Sequence, residues 1–319
     1  MSKAFRKFTR KKADVSSNLY EGVTITNAFN RFIRVKEIEG LAPRTLNDHR
    51  TFFRYLTDWL NGDTLMSDLS IDTVRDYIHF MIKEKNLSNS TINIRLRPLK
   101  TFLRFCQKEG IIEKPIAEHI KLLKVHDDKL EAFTKKEIQL LLKQPDKNSF
   151  AGFRDYTMMC VLLETGLRIN ELLNMKQSHI DFSTFMIDVP ASTAKTRRFR
   201  QVPITRKIAH LLAELIEEVR DFGTEYIFVS YEGNLLDASS WRQKLKEYEK
   251  KAGGLNKRVS PHTFRHTFAL LYIMNGGDPF SLQRILGHST MAMVRRYVQL
   301  APDDIRNQHA KYSPIDSLI

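Results

Sequence analysis

Cysteine is scarce in this sequence, with only Cys106 and Cys160 among 319 residues. No CxxC pair and no Cys/His cluster occurs, so no spacing suggests a structural zinc site. Both cysteines sit in apolar helical contexts and read as buried free thiols of a reducing compartment. Long apolar runs are missing too, since none reaches the 18 residues a membrane-spanning helix needs. The start of the chain has no apolar stretch of the secretory type, so a cytoplasmic location is expected. Glycine and proline are few, 13 and 10, and neither an internal repeat nor a low-complexity tract occurs. What remains is a globular composition, 42% hydrophobic, in a chain long enough for two ordinary domains.

Negative charge is the other deficit. Against 51 Lys and Arg stand 37 Asp and Glu, a net charge of +14. An excess of that size implies a polyanionic partner, and nucleic acid is the commonest polyanion. The cations are also clustered and interleaved with aromatics, as in KAFRKFTRKK near the start. Residues 1–13 contain no acid. Their paired KK and RK steps fit an arm lying along phosphates better than a transit peptide, so residues 1–20 are expected to form a basic arm.

The first half reads as helix after helix. Residues 25, 28, 29, 32, 33 and 35 make one apolar stripe, and Leu46, Phe52, Phe53, Leu56, Trp59 and Leu60 make a second. Ser70 is placed to cap a third helix. A fourth runs to Gly110, with Pro98 inside it as an expected kink or break. Arg44, Arg50, Arg95, Arg97 and Lys100 fall on the outer faces of these stripes, which makes residues 21–112 a candidate DNA-binding module. Residues 113–131 lose the periodicity and read as a linker. The second domain is expected over 132–319, opened by a capping box in which Thr134 and Glu137 exchange bonds. Within it FMIDVP and FRQVPI alternate as strands do, leaving a basic hairpin tip between them, and helical patterns otherwise prevail. The fold class expected is mainly α with a small antiparallel β-sheet.

Several residues could carry chemistry. In SPHTFRHTF, residues 260–268, Ser260 is a good N-cap and Pro261 suits the first helical position. His262 then lies in the first turn with Arg265 on nearly the same face, where free amides and the helix dipole welcome an anion. A histidine that exchanges protons beside an arginine that grips two oxygens makes a phosphate site. His266 follows His262 by four residues, a spacing open to a metal pair, but no third ligand stands at suitable spacing. In TGLRINELLNM, Arg168 follows a Thr-Gly break and Glu171 could simply pair with it. Lys195 lies at the hairpin tip, by default a solvated charge. In LGHSTMAMVRRYVQL, residues 286–300, Tyr297 lies beside the apolar stripe Met291, Val294, Val298, and a packed tyrosine explains it locally.

Each signal is weak alone, and the order of them is specific. Arg168, Lys195, His262 with Arg265, His288 and Tyr297, carried by TGLRINELL, a basic turn before VPI, HTFRHTFA and LGHSTMAMVRRYVQL, resemble the tyrosine recombinase (phage integrase) family. The resemblance covers residues 132–300 closely and 23–110 more loosely, the latter looking like the family's core-binding domain.

The resemblance implies a helical core-binding domain and a mixed α/β catalytic domain that together form a C-shaped clamp on DNA. It implies that Arg168 and Arg265 grip the scissile phosphate, that His288 donates to it, and that His262 assists proton removal from the nucleophile. Tyr297 would attack phosphorus, leaving a 3′-phosphotyrosine and a free 5′-hydroxyl. Lys195 would protonate the departing oxygen. Its slot lies at an ungapped distance before Val202-Pro203, so Arg197 and Arg198 at the same tip remain alternatives, and both are also candidate DNA contacts. No metal or nucleotide cofactor is implied. The partners implied are double-stranded DNA at a specific site, further copies of the chain in a tetramer on that DNA, and an accessory DNA-bending protein. The setting would be a bacterial cytoplasm, at the nucleoid when DNA is bound. The tail after residue 300 is a candidate for docking on a neighbouring protomer or a solvated helix. Integrase, transposase and resolvase all fit, with a type IB-like topoisomerase or a non-catalytic DNA-binding relative as the alternatives.

Overall fold

The computed structural model describes residues 22–125, 131–194, 198–255 and 257–300, with His309 and Ser313. The basic arm, Lys195, Arg197 and most of the tail lie outside the described residues. Two compact units divide the chain, Met1–Asp128 and Lys129–Ile319.

The first unit is helical. Helices α1 (Ile25–Ile38), α2 (Pro43–Leu60), α3 (Ile71–Lys83) and α4 (Asn89–Lys108) turn their apolar stripes onto one aromatic core, and the single turn α5 (Ile116–His119) joins them. Phe29 and Phe53 stack at 3.8 Å between centroids, with Phe32, Phe52 and Phe102 edge-on or tilted around them. Thr24, Ser70 and Ser88 accept the amides three residues on and start α1, α3 and α4. The break expected at Pro98 does not occur, for α4 runs through it. The carbonyl that proline frees belongs to Ile94, whose residue is 61% exposed, so water can satisfy it. The stretch from 113 is also less of a linker than its irregular pattern suggests. Ile116, Ala117 and Ile120 are buried in the first core, and Asn93 pins Leu123 with bonds in both directions at 2.9 Å.

The second unit is mainly helical around one small sheet. Its helices are α6 (Lys135–Leu142), α7 (Phe150–Thr165), α8 (Ile169–Leu173), α9 (Arg206–Val219), α10 (Ala238–Lys251), α11 (Pro261–Met274), α12 (Pro279–Leu286) and α13 (Ala292–Leu300). Strands β1 (Ile180–Asp181), β2 (Met186–Val189) and β3 (Arg200–Pro203) pair antiparallel in that order, with Ile187 opposite Val202 and Val189 opposite Arg200. Ile187, Val189 and Val202 point into the core and their neighbours outward, the period-two pattern that FMIDVP and FRQVPI carry. The capping box forms as expected, with Thr134 Oγ1 accepting the Glu137 amide and Glu137 accepting the Thr134 amide at 2.6 Å. Helices α7 and α11 pack side by side through the centre, and α13 lies across α11. The ends of these helices carry the residues of interest.

Candidate active site

Helix α7 stops because Gly166 takes φ +60°, a left-handed cap that a side chain would oppose. A Cβ there would also stand 2.5 Å from a Phe268 ring carbon, so the turn admits only glycine. The reversal exposes the Gly166 carbonyl toward α11 and sends Arg168 to the N-cap of α8. There Glu171 takes the Arg168 amide at 2.9 Å and its guanidinium Nη1 at 3.0 Å.

Glu171 does more than pair with its neighbour. It is 4% exposed and also accepts two bonds from Arg200 of β3, at 3.0 and 2.7 Å. Burial by itself would raise its pKa, but Arg200 and then Arg168 more than offset this and hold the carboxyl below its ordinary range. One buried carboxylate therefore fixes two arginines.

The N-terminus of α11 forms as its sequence suggests, with the Ser260 hydroxyl accepting the Thr263 amide and Pro261 at the first position. His262 is exposed on the first turn, and Arg265 is buried one turn on. Arg265 donates from Nη1 to the Gly166 carbonyl at 2.6 Å and from Nη2 to the Leu286 carbonyl at 2.7 Å. These bonds use two of the guanidinium's five donors. Burial and the nearby charge of Arg168 push its pKa down to about 9, still cationic at neutral pH.

Leu286 ends α12, whose last carbonyls carry the negative end of the helix dipole. Arg200 Nε takes the preceding one, that of Ile285, at 2.8 Å. Gly287 then turns with φ +64°, its Cα above the Arg200 side chain. His288 follows, its amide bonded to the Gln283 carbonyl at 3.1 Å and its own carbonyl taken by the Gln283 side chain. Among the described residues its buried Nδ1 has no partner. Burial, then Arg265 and Arg168, push its pKa down to about 4, so its imidazole is neutral. Tyr297 of α13 is 3% exposed, packed on Phe268, Leu282, Leu286 and Val294, and its hydroxyl lies 2.7 Å from His266 Nδ1. The local reading of a packed tyrosine is thus true of its ring, while the hydroxyl faces the cations. Burial raises its pKa, and Arg265 and Arg296 oppose that rise.

The structure therefore gathers Arg168, Arg265, His288 and Tyr297, with His262 at the exposed rim of the same helix. Two relatives of these residues were not singled out from sequence, Arg200 and, as a partner of Tyr297, His266. Arg198 lines a groove of about 860 Å³ that also takes in His288, Phe199, Ser289 and Arg284. Among the described residues no group of three or more His, Cys, Asp or Glu could hold a metal ion.

A family model described as the phage integrase family matches residues 131–303, more than half the chain, and one described as a phage integrase SAM-like domain matches residues 24–122. The chain belongs to the phage integrase family. It is therefore a tyrosine recombinase, an enzyme of DNA recombination. Its relatives include the tyrosine recombinase XerD of Pseudomonas aeruginosa, 25% identical over 292 residues and covering 89% of this chain and 96% of that one. In fold it resembles the Tn1549 transposon integrase solved with a circular intermediate DNA, with TM-score 0.75, 21% identity and coverage of 91% and 99%. It also resembles the lambda integrase tetramer bound to a Holliday junction, with TM-score 0.71, 19% identity and coverage of 89% and 83%.

In the recombinase's first unit, Arg44, Arg95 and Arg97 line one groove of about 690 Å³, where the Arg95 guanidinium lies 4.0 Å from the exposed Tyr55 ring. Arg50 instead pairs with Glu37 at 2.6 Å, and Lys100 donates to the Ile120 carbonyl at 2.8 Å. No helix among the described residues is long and apolar enough to cross a membrane.

Two neutral histidines give the recombinase a pH signature. His266 and His288 both titrate near pH 4 when folded, against an ordinary 6.5. Between those values the unfolded chain binds protons that the folded chain does not, so stability is lost as pH falls. Acidification from pH 7 to 5 is expected to remove about 2 kcal/mol for each histidine. Urea midpoints at the two pH values measure it, and His266→Gln with His288→Gln together should flatten the dependence. An undiminished slope in that double variant would refute the assignment.

Proposed function

We propose that the chain is a site-specific DNA recombinase that cuts and rejoins duplex DNA through a 3′-phosphotyrosine on Tyr297. Arg168 and Arg265 bind the scissile phosphate, where a planar fork of permanent charge meets two oxygens. As phosphorus becomes five-coordinate, fixed donors hold the charge that builds on those oxygens. Neutral His288 supplies one such donor, and His262 is the further histidine of the set. Lys195 delivers a proton to the departing 5′ oxygen. The covalent bond to Tyr297 conserves the energy of the phosphodiester, so rejoining by a 5′-hydroxyl needs no added cofactor.

The observation that carries this reading is the pair of bonds from Arg265 to the carbonyls of Gly166 and Leu286. Through them one buried cation ties the loop bearing Arg168 to the loop bearing His288, next to the buried hydroxyl of Tyr297. The likenesses to an integrase on a circular intermediate and to a tetramer on a Holliday junction support duplex DNA as substrate and a tetramer as the working assembly. The groove of the first unit with Arg44, Arg95 and Arg97, and separately that of the second unit with Arg198, would each grip the duplex by phosphate contacts.

The test starts from a randomised duplex pool, from which the protein's own site is selected by binding. The selected duplex is nicked close to the cleaved bond and incubated with protein and chelator. A denaturing gel is expected to show a covalent adduct, and mass spectrometry a 3′-phosphate on Tyr297. Tight binding with no adduct, or an adduct on another residue, overturns the proposal.

A further inference from the structure

We propose that His266 is a further catalytic residue, whose Nδ1 accepts the hydroxyl proton of Tyr297 as that oxygen attacks phosphorus. This rests on the reading of Tyr297 as the nucleophile. The argument is geometric. His266 Nδ1 stands 2.7 Å from Tyr297 Oη, with the rings 5.8 Å apart and tilted by 44°. The tyrosine is 3% exposed, so bulk water has little access to its proton. His262, the histidine in the family's slot, lies one turn nearer the start of α11, exposed, with its ring 6.4 Å from that of His266.

The step balances on these atoms. The Tyr297 O–H bond breaks and an N–H bond forms on His266. The tyrosine oxygen bonds phosphorus while the bond from phosphorus to the 5′ oxygen breaks, and that oxygen takes its proton from Lys195. For Nδ1 to accept, the imidazole must be neutral with its hydrogen on Nε2. Burial, then His262 and Arg265 on its own helix and Arg296 on α13, bring its pKa to about 4, which keeps the ring neutral. Among the described residues, Tyr297 and His288 also face it. An imidazole this weakly basic does not ionise a phenol in advance. It takes the proton as the bond to phosphorus forms, when the phenol's own basicity collapses and phosphate charge gathers beside the ring.

The experiment measures single-turnover adduct formation by the full chain on the selected, nicked duplex. An adduct on wild-type Tyr297 is its first arm; absence there overturns the nucleophile reading and this inference together. His266→Asn keeps a hydrogen-bond acceptor near the tyrosine but takes no proton, and is expected to slow the step by about 10²-fold or more. Two readouts separate proton transfer from support of the fold. A fluorinated tyrosine at position 297, with a more acidic phenol, should recover much of the His266→Asn rate. A 5′-bridging phosphorothiolate, whose sulfur leaves without a proton, should recover Lys195→Ala and leave His266→Asn slow. A His266→Asn rate within twofold of wild type, or a defect that the fluorinated tyrosine does not move, overturns the proposal while leaving Tyr297 as the nucleophile.

Discussion

The Tyr297→Phe protein is expected to fold, to bind its DNA as the wild type does, and to form no covalent adduct. The ring stays in place because its contacts are apolar, with Phe268, Leu282, Leu286 and Val294 around it. Only the hydroxyl is lost, and with it one hydrogen bond to His266. A single such bond contributes about 1 kcal/mol, a change of a few degrees in melting temperature. The chemical effect is of another order. Removing a nucleophile costs roughly 10⁴-fold or more, since the cations around it can polarise a phosphate but cannot attack it. The measurement sets melting curves and binding isotherms beside the adduct assay on the same preparation. Persistent adduct in the variant would move the nucleophile elsewhere, and a variant that fails to fold would mean the hydroxyl anchors α13.

Much of this arrangement was legible because it is local. The helix stripes, the Thr134–Glu137 exchange, the Ser260–Pro261 start and the Gly166 stop all depend on residues within a few positions of each other. Local rules also account for Arg168 at a helix start and Arg265 one turn inside another. What was not legible depends on residues distant in the chain. Alternation puts Arg200 on the same inner face as Val202 and opposite Val189, where a charge has no local partner, and only the folded chain brings it to Glu171, 29 positions back, and to the Ile285 carbonyl, 85 positions on. Spacing puts His262 and His266 on one face of α11, but which of them meets Tyr297 is decided by where α13 crosses. Lys100 belongs to a basic face by its spacing, yet its ammonium donates to the Ile120 carbonyl. A periodicity rule sees a cation and an exposed stripe, not the carbonyl that a later segment carries back to it.

The same long-range contacts explain why the arginines stand together at all. Arg168, Arg200 and Arg265 are like charges held close together, and after burial the charges of Arg168 and Arg200 both push the Arg265 pKa down. The carbonyls at the end of α12 and the carbonyl of Gly166 absorb part of that charge as dipoles. Glu171 absorbs it as a full charge. The site thus holds its cations with backbone and one carboxylate, and under the proposed function the remaining guanidinium N–H groups would meet the phosphate.

Glu171→Gln should therefore be the most damaging change that touches no reacting atom. The amide keeps the size of the side chain and loses its charge, and its NH₂ group is set against an arginine donor. Two guanidinium groups then sit buried with a carbonyl oxygen where each had a carboxylate. Breaking a buried pair by removing one partner costs about 3–5 kcal/mol, more than the pair ever contributed net, because the charge left behind cannot return to water. In a unit of this size that corresponds to a fall in melting temperature on the order of 10 °C. Adduct formation should fall as well, by roughly 10²-fold, as Arg168 loses the support that aims it. Glu171→Asp keeps the charge and shortens the reach by one carbon, so it should cost less stability than Gln and still slow the reaction. Urea unfolding beside the adduct assay reads both effects. A Gln variant within about 1 kcal/mol of wild type would mean that the Ile285 carbonyl alone holds Arg200, and that Glu171 is a neighbour of the arginines and not their anchor.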